Sequence, residues 1–170
     1  RSTCLRRGFG AIIVKNDEII STGFNGAPRG RKNCCDMGYC LREKMNIPRG
    51  ERYEMCRSVH AEQNAIIQAG QDRCQGATMY IYGHNFICIL CKRFIVQAGI
   101  KDVYLQKDEN SPIEYVEVSQ IQKELSEEFA KAYGRDTAEF VKNANDQMKS
   151  YIKEELKYDV AVKFIIANAK

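Results

Sequence analysis

At 170 residues, 44% hydrophobic and 28% charged, the chain has room for one domain with a proper core plus an appendage. No apolar run approaches the roughly 18 residues that cross a bilayer and no secretory pattern is present, which argues against a membrane partner and predicts a cytosolic protein. The net charge of +4 is too weak to mark a nucleic-acid binder; up to residue 110 there are 17 basic and 11 acidic residues, beyond it 9 and 11, a bias that suits a small anionic substrate but is explained as well by a solvated surface.

In chain order, residues 10–14 and 19–23 read as a β-hairpin turning at Asn16-Asp17. The second strand runs into Phe24-Asn25-Gly26, where glycines permit tight backbone geometry beside a ligand. Residues 27–55 form a polar insert with little periodicity, and a segment that long needs something to order it. Residues 61–69 have helix-forming composition and stop at Gly70. Residues 78–82 are rich in β-formers and predict a central strand, followed by a helix over 87–97 capped by Gly99 and a strand over 102–105. Parallel strands separated by helices imply a mixed sheet with helices on both faces. From residue 111 the composition turns charged and helical: Val118, Ile121, Leu125 and Phe129 form one stripe, and Phe140, Ala144, Met148, Ile152 and Leu156 another, with Gly134 between them. Residues 158–167 fit a strand or a short helix equally.

Two short motifs carry the chemistry. His60-Ala61-Glu62 opens the first long helix, and Cys88-Ile-Leu-Cys91 opens the second. One imidazole and two thiolates are three ligands of a tetrahedral zinc, the pattern of catalytic rather than structural sites. Thiols in a first helical turn ionise more readily. Glu62 then serves as general base and acid toward zinc-activated water. The pair alone also fits a plain structural zinc site, and His60 a satisfied helix histidine. His84, close to Cys88, reads as a loop or pocket residue. Of the eight cysteines, a cytosolic setting favours metal over disulfides for those that pair. Cys4, Cys34, Cys40 and Cys56 flank or lie in the insert, where four thiolates would close a structural zinc shell; Cys35 is an alternative to Cys34, and unpaired reduced thiols are the other reading.

The runs STCLRRGFGAIIV (2–14), ISTGFNGAPRG (20–30), CRSVHAEQNAII (56–67), GATMY (76–80) and QAGIKDVY (97–104) resemble the deoxycytidylate (dCMP) deaminases of the zinc-dependent cytidine deaminase superfamily. The resemblance covers about two thirds of the chain. It implies a three-layer α/β/α fold with a mixed five-stranded sheet over residues 1–110, and a helical extension of unassigned role over 111–170. It further implies substrate contacts from Asn25 and the Ala61 backbone, hydrolysis of dCMP to dUMP and ammonia, one catalytic and one structural zinc, a nucleotide effector and a homo-oligomer. The second zinc set is chosen on the same resemblance, Cys34 because it lies two residues before Asp36. One departure stands out: the family has proline before the first paired cysteine, where this chain has Ile87. Deamination of another nucleoside or nucleic-acid base, and a zinc-stabilised interaction module without catalysis, are the competing readings.

Overall fold

The computed structural model describes residues 1–48 and 50–132, with side chains up to residue 128. The chain divides into two compact units after Leu125, and the sheet and the candidate site both belong to the first, Arg1–Leu125. Strands β1 (Gly10–Lys15), β2 (Glu18–Phe24), β3 (Thr78–Tyr82), β4 (Asp102–Gln106) and β5 (Glu114–Glu117) form one sheet in the order β2-β1-β3-β4-β5. Only β3 and β4 run parallel, so the sheet is mixed and β3 lies at its centre. The hairpin turn puts Asn16 and Asp17 both at positive φ, +51° and +62°, a conformation these two residue types tolerate.

Two helices cover one sheet face, α3 (Ala61–Ala69) and α5 (Ile89–Gln97). On α3 the residues facing the sheet are small: Ala61, Ala65 and Ala69 recur every fourth position and are buried. Gly23 on β2 lies beneath them, where an added Cβ would strike the Ala61 carbonyl and the Ala65 amide. Ser21 Oγ donates to the Ala65 carbonyl at 2.7 Å, and Asn64 Nδ2 to the Phe24 carbonyl at 2.8 Å. The helix is thereby clamped to the strand rather than merely packed on it. Ile13, Met79, Ile81, Val103, Leu105, Cys91 and Ile95 fill the space between sheet and helices. The opposite face carries Tyr80, Tyr82 and Tyr115, all exposed.

One expectation shifts. The fifth strand, β5, falls within the stretch whose composition reads as helical; Tyr115 and Val116 favour an extended chain, and pairing with β4 satisfies one side of its backbone. The next helix, α6 (Val118–Ala132), starts only after it, with Ile121 fully buried, Val118 and Leu125 packed on the core, and Glu124 bridging to Lys92 at 2.9 Å. Gly134, the second apolar stripe and residues 158–167 lie outside the described residues. No described helix is long and apolar enough to cross a membrane.

The insert contains α1 (Cys34–Met37) and α2 (Leu41–Lys44), each four residues long, and a 3₁₀ turn at Tyr53–Met55. Arg42 orders much of it. This buried arginine donates from one terminal nitrogen to the carbonyls of Pro48, at 2.6 Å, and Glu51, at 2.7 Å, and lies over the Tyr53 ring at 4.5 Å. Asn33 Oδ1 accepts from Thr3 Oγ1 and from the Ala27 amide, which ties the insert back to the N-terminal segment. A staple of this kind leaves no periodic trace in a sequence, because its partners are backbone carbonyls.

Candidate active site

The central strand β3 ends beside the N-termini of α3 and α5, and the chemistry-bearing side chains meet there. An isolated bridge between Gly26 and Val59 delivers the chain to His60, which is the N-cap of α3. The Gln63 side chain accepts from the His60 amide at 3.0 Å and fixes the start of the helix. On the other side Cys88 is the N-cap of α5, and its sulfur accepts from the Cys91 amide at 3.5 Å. This start forms without the family proline: Ile87 is buried in the core instead, and apolar packing holds the approach to the helix.

His60 Nδ1 lies 3.3 Å from Cys88 Sγ and 3.4 Å from Cys91 Sγ. All three donor atoms fall within 4.8 Å of one another, and among the described residues this is the one group of metal donors so arranged. Tetrahedral zinc with ordinary Zn–N and Zn–S bonds needs nitrogen and sulfur about 3.6 Å apart, so the donor set fits that ion in chemistry and in spacing. With three protein donors and no fourth in the group, the pattern is that of a catalytic site.

The protonation of these groups agrees with the geometry. Burial works against charge on His60, yet hydrogen bonds to Cys56 and Cys88 and the charges of Cys88 and Glu62 outweigh it and raise the imidazole to about 10. The two thiols of the pair divide their roles: the hydrogen bond from Cys91 holds Cys88 down despite burial, while the same bond together with burial pushes Cys91 up. A cation would displace the protons these groups share.

Glu62, the second residue of α3, is buried to 2% exposure. Burial alone would raise its carboxyl, but the His84 imidazole, its own backbone amide and His60 prevail, and it stays below the ordinary carboxylate range. His84 Nε2 lies 3.5 Å from Glu62 Oε1. Sequence reasoning places His84 in the loop or pocket and gives it no role; the contact joins residues far apart in the chain, so no local spacing signals it.

A cavity of about 480 Å³ opens onto this centre, and its walls include His60, Glu62, His84, Cys88, Asn25 and Phe86. Arg6, Arg7, Arg42 and Arg57 line it as well, so it is basic despite the Glu43 carboxylate 3.0 Å from Arg6. The buried Asn25 side chain accepts from the Phe9 amide at 2.9 Å and donates to the Arg7 carbonyl at 3.0 Å, which pins the 7–9 segment along the cavity and leaves one donor and one acceptor uncommitted. Ala61 is fully buried at the first helical position. Cys4, Cys34, Cys40 and Cys56 line the same cavity, and after burial it is the charges of the other three that raise Cys34. No three of them bring their sulfurs within 4.8 Å, by contrast with the His60 group. Cys35 is exposed and donates to the Thr3 carbonyl.

A mixed sheet presents a His-x-Glu helix start and a Cys-x-x-Cys helix start to one basic cavity, the arrangement of a candidate metal centre. Residues 1–107 match the family described as the cytidine and deoxycytidylate deaminase zinc-binding region, and the chain belongs to that family. Deoxycytidylate deaminase of Schizosaccharomyces pombe is 38% identical over 103 residues, 61% of this chain and 31% of the yeast protein. The Mycobacterium phage D29 deoxycytidylate deaminase is 34% identical over 113 residues, 64% of this chain and 84% of the phage protein. Among solved structures, the apo dCMP deaminase of cyanophage S-TIM5 aligns with a TM-score of 0.44 at 30% identity, covering 64% of this chain and 73% of that one. The chain thus spans about a third of the length of the fission yeast relative.

Proposed function

We propose that the protein hydrolyses the exocyclic amine of a cytosine nucleotide, dCMP first, giving dUMP and ammonia. One observation carries this reading: the buried Glu62 carboxylate shares a basic cavity with three converging zinc donors. His60, Cys88 and Cys91 would hold the ion, which when bound supplies Lewis-acid activation of water near neutral pH. Glu62 takes a proton from the attacking water and passes it to ring N3; it then carries the proton of the hydroxyl now on C4 to the amine, as C4=O forms and the C4–N bond breaks. Water adds one oxygen at C4 and ammonia leaves, so the balance closes without a redox partner. The arginines around the cavity favour a phosphorylated substrate over a free nucleoside. Ultraviolet assays on dCMP, deoxycytidine and cytidine test this: dCMP should show the highest kcat/KM. Turnover of the nucleosides alone would move the substrate class, and no turnover by zinc-loaded protein on any of the three would favour a non-catalytic module.

The reading includes a second, structural zinc held by Cys4, Cys34, Cys40 and Cys56; its support is the family resemblance and the four thiols' place on one cavity, and their sulfurs would have to draw together to close the shell. Elemental analysis of the purified protein should find about two zincs per chain, since four thiolates close a structural shell and three donors make the catalytic one. A single zinc removes the cysteine site. Family resemblance further supports a cytosolic homo-oligomer with a nucleotide effector.

A further inference from the structure

His84 is an expensive residue for the slot it occupies. It is 8% exposed, and its ring meets Phe9 edge-on at 4.9 Å and Phe86 at 5.4 Å. Its Nδ1 is buried with no hydrogen-bond partner, a desolvation penalty that a leucine or phenylalanine in the same slot would escape. Packing therefore does not explain a histidine. The preceding Gly83 sits at φ +114°, and a Cβ there would strike the Phe9 ring and the Gly8 carbonyl, so the backbone is held in a glycine-only conformation that presents this ring. The ring's polar contact is Glu62: Nε2 lies 3.5 Å from Oε1 across two nearly water-free side chains. At that length the two atoms are in contact but not yet hydrogen-bonded, and catalytic hydrogen bonds commonly tighten only when substrate closes the site.

We propose that His84 is the positioning residue for Glu62: with its proton on Nε2 it donates to Oε1, fixes the carboxylate plane, and leaves Oε2 directed to proton transfer. This rests on the deaminase reading of the site. An ionised carboxylate has only acceptors, so the imidazole must be the donor, through an N–H on Nε2. Without the donor the carboxylate of Glu62 is free to turn about its terminal torsion, which is broad and roughly two-fold. Misplacement of a reacting group by about 1 Å is enough to cost on the order of a hundredfold in rate.

His84→Phe keeps the aromatic packing and deletes the donor, whereas His84→Gln places an N–H donor near the position of Nε2. Relative to wild type on dCMP, His84→Phe should lose about tenfold to a hundredfold in kcat with KM within about threefold, and His84→Gln should regain at least about fivefold of that loss. Zinc content of both variants should match wild type, and neither should melt below it. Equal losses in the two variants, or none in His84→Phe, would overturn the proposal while leaving deamination by the wild type intact. The chain's two histidines also make the ring nitrogens separable by ¹⁵N NMR of wild-type protein without substrate. His84 should carry a proton on Nε2, and Glu62→Ala should relax that preference; a bare Nε2 in wild type overturns the pairing. Should wild type turn over no cytosine nucleotide, the functional reading fails and the nitrogen spectrum decides the His84–Glu62 pair alone.

Discussion

Glu62→Gln should lower kcat for dCMP by about a thousandfold, the middle of the range for losing a positioned general acid–base group. The amide keeps the side chain's size and its hydrogen-bonding reach toward His84, so the helix start and the three zinc donors should be undisturbed. What it cannot do is accept a proton from water and return it to the ring and the amine. Zinc content equal to wild type, measured on the same preparation, separates lost chemistry from a lost ion. A variant with more than a tenth of wild-type kcat would remove Glu62 from the proton-transfer role and would leave the buried carboxylate without a purpose.

Gly23→Ala is the second change with a large expected effect, and it acts far from any reacting atom. The new methyl group would meet the Ala61 carbonyl and the Ala65 amide, both backbone atoms of α3, and no rotamer can relieve the collision. Overpacking against side chains costs about 1–3 kcal/mol; against helix backbone we expect about 3 kcal/mol or more, seen as a fall in melting temperature of about 10 °C. The helix can escape only by lifting off β2, which breaks the Ser21–Ala65 and Asn64–Phe24 hydrogen bonds. His60 and Glu62 ride on that helix, so zinc affinity should fall together with stability. Melting and zinc titration both at wild-type values would show that the strand–helix distance does not position the site.

These two residues mark how far the chain can be read without its fold. Glu62 is legible because its meaning is local: two residues after His60, at a helix start, its relation to a histidine ligand is set by backbone geometry over a single turn. The same holds for Cys88 and Cys91, and for the Asn16-Asp17 turn, whose residue types tolerate the positive φ it requires. Gly23 reads in sequence only as flexibility beside a ligand, whereas its function is to admit the backbone of α3, a neighbour some forty residues on. β5 is hidden by charge: an edge strand with one exposed face carries glutamates as readily as a helix does.

The amino-acid order therefore determined the candidate donor set, its division between two helix starts, and the alternation of strands and helices that places those starts at the end of one central strand. These follow from interactions spanning a few residues, which spacing and residue type encode directly. Tertiary structure alone decided that His84 meets Glu62, that Arg42 staples the insert beside the cavity, that Ile87 is buried ahead of α5, and that four arginines line one cavity. Each of those joins residues or backbone groups that no short-range period relates, and the free energy that brings them together belongs to the packing of the whole domain.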